Sequence, residues 1–297
     1  MFDVQAISAD ISSSTNTDFS LSNHSPIGGG DINQAFRLQG QCGRHFFLKL
    51  NQNGRLPMFV AEAEGLRALE QAKAIRVPKP ICYGETDQHA YLVMEFISFS
   101  PASSAGSAQM GEQLAALHQT SSLGQGHGWH RDNTIGMTPQ RNNWCDDWVE
   151  FFRHQRLGYQ LDLASTKGAS RQLLEKGQFL LKNVDFYFES YQPQTSLLHG
   201  DLWSGNAGFD ENGKPVIYDP ATYYGDRETD IAMTELFGGF SHDFYSAYER
   251  IWPLDSGYSR RRELYNLYHI LNHFNMFGSG YAAQAENIIK KLLNYLP

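Results

Sequence analysis

In Phe46-Phe47-Leu48-Lys49-Leu50 the side chains alternate with a period of two. This predicts a strand with Phe46, Leu48 and Leu50 on one face and Phe47 and Lys49 on the other. Residues 35–38 predict a partner strand upstream, while residues 12–25, rich in Ser, Thr and Asn, predict an irregular lead-in. Residues 59–72 are dense in Ala, Glu and Leu and predict a helix. Val77-Pro78-Lys79-Pro80 then breaks the chain before two more strands, at 81–83 and 91–96. Residues 98–107, rich in Ser, Ala and Gly, predict a joint. Beyond it the pattern turns helical. Residues 111–120 carry Leu114, Leu117 and His118 at helical spacing, and 146–157, 170–187, 260–277 and 282–296 also predict helices. One short β-insert, 206–218, interrupts them. The expected fold class is α+β in two lobes: a β-rich N-terminal lobe over residues 1–97 and a mostly helical C-terminal lobe over 98–297.

Composition narrows the picture. The 297 residues suffice for two lobes of ordinary size, and 41% apolar content can fill their cores. A formal charge of −8 gives no support for a nucleic-acid partner. No apolar run approaches the roughly 18–20 residues of a membrane span, and residues 1–10 lack the basic start of a secretory signal. Cys42, Cys82 and Cys145 are odd in number and without metal-ligand spacing. They read as buried apolar residues in a reducing compartment. The expectation is a cytoplasmic protein with no membrane or nucleic-acid partner.

The chemistry concentrates in His199-Gly200-Asp201-Leu202-Trp203-Ser204-Gly205-Asn206 and in Val216-Ile217-Tyr218-Asp219-Pro220. Between them lies Glu211-Asn212-Gly213-Lys214, and Asn-Gly is the strongest short hairpin signal. A two-residue turn would pair Glu211 with Lys214 and, counting outward, set Asn206 opposite Asp219, about 4.5–5.5 Å apart at Cβ. An amide oxygen and a carboxylate so placed can hold one Mg²⁺, with phosphates completing its shell. Asp201 lies five residues before Asn206, the offset of catalytic Asp and metal Asn in the kinase pattern H-R-D-L-x-x-x-N. A carboxylate there accepts a hydroxyl proton while a metal and a lysine neutralise the phosphates. Lys49 is the natural phosphate lysine. Its carboxylate partner on the next helix is Glu62 or Glu64, and simple periodicity does not choose between them.

Each residue alone has a plainer explanation. An Asp before a turn caps it, a strand Lys is solvated, Trp203 fills a core, and Gly28-Gly29-Gly30 makes a turn. His199 reads as a satisfied structural histidine. The order of glycine run, Lys, Glu, Asp, Asn and Asp argues for a nucleotide-dependent phosphotransfer site.

His-Gly-Asp with the later Asn and Asp resembles the aminoglycoside and choline kinase group of the protein-kinase-like fold. Between about residues 26 and 293 the chain is more closely similar to one branch, the fructosamine kinases (ketosamine-3-kinases). The strings that carry the resemblance include Asp132-Asn133-Thr134-Ile135-Gly136, Thr138-Pro139-Gln140-Arg141-Asn142-Asn143-Trp144, Arg156-Leu157 and Leu271-Asn272-His273-Phe274-Asn275. The resemblance implies ATP and Mg²⁺ as cofactors and phosphorylation of the sugar 3-hydroxyl of a fructosyl or ribulosyl amine, free or on a glycated protein, in deglycation. It implies Asp201 as proton acceptor, Asn206 and Asp219 as metal ligands, and Lys49 on the phosphates, with Glu64 rather than Glu62 as its partner. Gly28, Gly29 and Gly30 would cover the phosphates. Met94-Glu95-Phe96-Ile97 resembles the hinge, with backbone groups of Glu95 and Ile97 meeting adenine. Trp203, His273 and Asn275 would contact the sugar, and Asp226, Glu228 and Asp230 could attract a cationic substrate. The pattern departs at Asp31, where many relatives carry cysteine. A kinase for another small alcohol, such as an aminoglycoside or choline, and a nucleotide-binding pseudokinase scaffold are the competing readings.

Overall fold

Asp3 accepts the Ala6 N–H and starts the first helix, α1 (Val4–Thr15), of a computed structural model that describes residues 2–28 and 32–297. Helix α1 buries Ile7 and Ile11, together with Phe2 and Phe19, against one face of a sheet. The sheet is built from β1 (Leu21–Ile27), β2 (Gln34–Gly40), β3 (His45–Gln52), β4 (Pro80–Glu85) and β5 (His89–Glu95), with helix α2 (Leu56–Ala72) inserted after β3. All neighbours are antiparallel, in the order β1-β2-β3-β5-β4. The expected irregular lead-in is therefore the end of a helix and an edge strand. Local polarity is overridden because two isoleucines cover the sheet and β2 supplies the ladder for an otherwise exposed β1. Phe46, Leu48 and Leu50 face α1, as their alternation predicts. Lys49 points to the other face, toward α2.

Ser103 accepts the Gly106 N–H and begins α3 (Ser104–His118), so the predicted joint shrinks to a few residues around β6 (Phe99–Ser100). Next come the hairpin β7 (Asn133–Ile135) and β8 (Thr138–Gln140), and then α4 (Trp148–Phe152), which passes through a π-helical turn, Arg153–Gly158, into α5 (Tyr159–Thr166). The remaining elements are α6 (Arg171–Lys182), β9 (Thr195–Leu198), β10 (Ala207–Asp210), β11 (Pro215–Ile217), β12 (Tyr223–Asp226), α7 (Glu228–Leu236), α8 (His242–Ile251), α9 (Tyr258–Phe277) and α10 (Ala282–Leu293). Helix α9 is buried along most of its length and forms the centre of this half. No helix among the described residues is long and apolar enough to cross a membrane. Of the cysteines, Cys82 is buried, but Cys42 is exposed on the β2–β3 turn, where Arg44 Nε donates to its sulfur. It is not the core residue its type suggested.

Candidate active site

Lys49 is buried in the middle of β3, and its ammonium meets two carboxylates: Glu62 Oε1 at 2.6 Å and Asp219 Oδ1. Burial alone would favour the neutral amine, but these two anions more than offset it and hold Lys49 charged above its ordinary range. Glu62 pays in turn: burial pushes its carboxyl up to about 7, against the pull of Lys49. Glu64, the partner the resemblance favours, is turned away and binds Arg131 Nη1 at 2.9 Å and His130 Nε2 at 3.1 Å. The correction has a simple geometric origin. Glu62 falls in the buried stripe of Phe59, Ala63, Leu66 and Leu69, whereas Glu64 lies two residues on, across the helix. Glu62→Gln is therefore expected to lower kcat about tenfold or more, the scale of one charged hydrogen bond. Glu64→Gln, which loosens a partly exposed pair, should cost little. Steady-state rates for the two variants decide it, and the opposite ranking would restore Glu64.

Asp201 sits on the loop after β9. Asp230, at the start of α7, shapes that loop by accepting the backbone N–H groups of His199 (2.7 Å) and Gly200 (2.8 Å). His118 Nε2 lies 3.2 Å from the same carboxylate. Burial works against the Asp230 charge, yet His118 and the loop amides hold its carboxyl below the usual value. Gly200 adopts φ +84°, and a Cβ there would stand 2.1 Å from the Ala221 carbonyl, so only glycine fits. His199 is structural, as expected: its Nε2–H donates to the Tyr218 carbonyl at 2.9 Å. Asp201 Oδ2 accepts from Asn206 Nδ2 at 3.2 Å. Burial, followed by the nearby Asp219 charge, pushes the Asp201 carboxyl up to about 7.

The hairpin that carries the other groups differs by one residue from the sequence count. Asp210 pairs with Lys214 across a three-residue loop, Gly213 takes φ +74°, and Asn206 consequently faces Tyr218. The Asp210 carboxylate captures the N–H groups of Asn212 (2.9 Å) and Lys214 (3.0 Å), which favours the longer turn over Asn-Gly alone. Asp219 comes one residue after the Tyr218 pairing, in a left-handed conformation at φ +59°. The Asn206 amide nitrogen is engaged by Asp201, so its oxygen is the atom left for a cation, and the Asp219 side chain is 41% exposed. Two protein oxygens suit a Mg²⁺ that is held mostly by phosphates and water. Among the described residues no cluster of three His, Cys, Asp or Glu offers a self-sufficient metal cage.

The remaining predicted residues divide. Gly29, Gly30 and Asp31 lie outside the described residues, and a Cβ at Gly28 would meet nothing within 4 Å. The Glu95 N–H donates to the Lys79 carbonyl at 2.8 Å, so it is not free for adenine. The Glu95 carboxylate ties Arg76 (2.6 Å), which also binds Asp210. Phe96 lies under Arg37, with 4.8 Å from guanidinium carbon to ring centre, and Ile97 is buried. Asn275 is buried and donates to Gln160, which corrects its assignment as a sugar contact. Trp203 is 36% exposed and packs edge-on to Phe237, whose ring lies 5.0 Å from His273. Phe237, which was not among the expected sugar contacts, links the two. The acidic trio cannot attract a substrate. Asp226 binds Tyr191 and Tyr265, Glu228 makes a two-pronged pair with Arg261, and Asp230 holds the loop that carries Asp201, all three buried. The role of Asp230 was missed; its one sequence signal is a carboxylate placed against the apolar run Ile231-Ala232-Met233.

Known proteins share this sequence and architecture. A family model described as fructosamine kinase matches residues 3–295. A Synechocystis protein named as a ketoamine kinase is 47% identical over 97% of this chain and 96% of its own. The chloroplastic protein-ribulosamine 3-kinase of Arabidopsis thaliana is 45% identical over 91% of this chain and 82% of its own. A Haemophilus somnus crystal structure named as a fructosamine-3-kinase superposes with a TM-score of 0.89 at 28% identity, covering 97% of this chain and 96% of that one. An aminoglycoside phosphotransferase, at a TM-score of 0.60 and 18% identity over 97% of this chain and 98% of its own, shares the fold alone. The chain thus has a two-lobe, protein-kinase-like α+β fold and belongs to the fructosamine kinase family of phosphotransferases.

Proposed function

We propose that the chain transfers the γ-phosphoryl group of ATP to the sugar 3-hydroxyl of a ketosamine, a fructosyl or ribulosyl amine, in cytoplasmic deglycation. Residues 1–97 would hold the nucleotide and residues 98–297 the acceptor. One observation carries this reading: Lys49 of β3, beside Glu62 of α2, meets Asp219, 170 positions away in the chain, and Asp219 belongs to the same hairpin-and-loop unit that presents Asp201 and Asn206.

In the reaction, the Asp201 carboxylate accepts the proton of the acceptor hydroxyl as its oxygen attacks the γ-phosphorus, and the bond to the β-phosphate oxygen breaks to release ADP. Lys49, held by Glu62, sets a fixed positive charge against the phosphates. Asn206 Oδ1 and the Asp219 carboxylate would hold Mg²⁺, which supplies charge neutralisation on the transferring group. Asp230 keeps the loop carrying Asp201 in place through two backbone amides. The Trp203–Phe237–His273 row beside that loop, exposed at Trp203 and half-buried at the other two, supplies an aromatic wall for a sugar.

A turnover screen tests the substrate class. Fructosyl-lysine and ribulosyl-lysine are expected to be phosphorylated and choline and aminoglycosides not, with phosphorus NMR placing the product phosphate on O3. Faster turnover of choline or an aminoglycoside would overturn the reading. The wall adds a second expectation. Covering roughly 60 Å² of ring at about 25 cal/mol per Å² is worth about 1.5 kcal/mol, or about tenfold in binding. Trp203→Ala should raise KM for the ketosamine by about that factor and leave KM for ATP unchanged. A parallel loss of both, with a lower Tm, would mark Trp203 as packing only.

A further inference from the structure

Asp219 is one of few non-glycine residues with positive φ, and backbone strain of this kind persists only where the surroundings over-determine it. Those surroundings come from the β7–β8 hairpin and its flanks. Asn133 Nδ2 donates to the Thr222 carbonyl at 2.8 Å, and Gln140 Nε2 donates to the Ala221 carbonyl at 3.0 Å. In addition, the Ala221 N–H donates to the His199 carbonyl at 2.9 Å, and Tyr224 exchanges two backbone hydrogen bonds with Gly128, each of 2.8 Å.

The donors are themselves fixed. Asn133 Oδ1 accepts from Gln140 at 2.8 Å and from Asn142 at 2.9 Å, and Gln140 Oε1 accepts from Tyr268 at 2.7 Å. Asn142 Oδ1 accepts from Arg156 Nη2 at 2.8 Å. Arg156 is wholly buried on the π-helical turn, and among the described residues no carboxylate forms an ion pair with it. It rests on the Asn142 amide, the Arg141 carbonyl and the rings of Tyr223 (4.0 Å) and Phe151 (4.6 Å). Burying a lone guanidinium is costly, and π-helical turns concentrate at functional positions. Packing alone would be served better by an apolar side chain.

We propose that Asn133, Gln140 and Asn142, braced by Arg156, form a permanent clamp on residues 221–222 that fixes Asp219 in its left-handed, Lys49-facing conformation. These are positioning residues: Asn133 and Gln140 touch the chain after Asp219, Asn142 and Arg156 hold those two, and none of them touches the reacting atoms. The clamp gives a purpose to the strings around Asn133, Gln140 and Arg156, which the catalytic assignment leaves unused. Its bearing on Mg²⁺ rests on the reading of Asp219 as a metal ligand.

Two variants test it. Asn133→Asp keeps the acceptor for Gln140 and Asn142 but faces the Thr222 carbonyl with oxygen instead of a donor. Gln140→Leu removes the donor to Ala221 at similar volume. Each is expected to speed amide hydrogen exchange across residues 219–224 at least tenfold and leave exchange in α1 and β2 unchanged. Each should also raise the Mg²⁺ concentration for half-maximal ATP binding at least tenfold. Unchanged exchange in 219–224, or a uniform rise throughout the protein with an unchanged Mg²⁺ midpoint, would overturn the clamp. If Gln140→Leu does not fold, the half-buried Asn133→Asp decides. Asp219→Ala, run alongside, separates the two readings. Wild-type Mg²⁺ dependence in that variant removes the metal role, while the exchange result still judges the clamp by itself.

Discussion

Asp201→Asn is expected to leave the fold and ATP binding intact and to reduce kcat by about 10²–10⁴-fold, the usual contribution of a positioned general base. The substitution keeps the shape of the side chain, and Asn206 Nδ2 still finds the Asp201 backbone carbonyl at 2.8 Å, so the loop has no reason to move. What is lost is the atom that takes the proton. The pH profile offers a second check. Burial and the Asp219 charge raise the Asp201 carboxyl to about 7, so a base at this position would be protonated and unable to take a proton below that value in the metal-free protein. A cation on Asp219 would cancel part of that repulsion and draw the acid limb downward. Wild-type kcat/KM should therefore fall on the acid side, with a midpoint at or below about 7 when Mg²⁺ is saturating. In Asp201→Asn this limb should vanish from the residual rate. Near-normal kcat in the variant would remove Asp201 from the base role.

Several parts of this site were legible because they depend on short-range pattern. Alternation in 46–50 put Lys49 on the face opposite the α1 core, and the five-residue offset from Asp201 to Asn206 is a property of one loop. Other parts depend on distances the pattern does not encode. The hairpin register slipped by one because the Asp210 side chain, not the Asn-Gly pair alone, selects the turn. Glu62 could have been chosen from the buried stripe of α2, since 59, 62, 63 and 66 share a face; the resemblance pointed to Glu64 instead. Asp226, Glu228 and Asp230 read as an attraction for a cationic substrate because sequence does not show that Tyr265, Arg261 and the amides of 199 and 200 are their partners. Helix α7 was missed for a related reason: its buried face includes Glu228, Thr229 and Asp230, which breaks the apolar period.

Asp219→Ala is expected to abolish most of the Mg²⁺ dependence of nucleotide binding. Losing an outer-shell partner of a metal ligand typically costs about 10–100-fold in metal affinity, and loss of a charged ligand itself should exceed that range. Asn206→Ala removes a neutral oxygen and should fall within it. The alanine change at 219 alters two other things, and both need separating from the metal. It removes one of the two anions that keep Lys49 charged, leaving Glu62 alone. It also places a residue with no taste for positive φ where the backbone sits at +59°. Asp219→Asn distinguishes the contributions, because asparagine tolerates the left-handed conformation but carries no charge. Titration calorimetry with ATP, with and without Mg²⁺, should then rank metal dependence as wild type above Asn206→Ala, with Asp219→Asn and Asp219→Ala lowest. The Tm of Asp219→Asn should stay closer to wild type than that of Asp219→Ala. A metal-ligand role predicts that the two Asp219 variants fail together on Mg²⁺ and part company on stability. Equal Mg²⁺ dependence in wild type and Asp219→Asn would show that the carboxylate serves Lys49 alone.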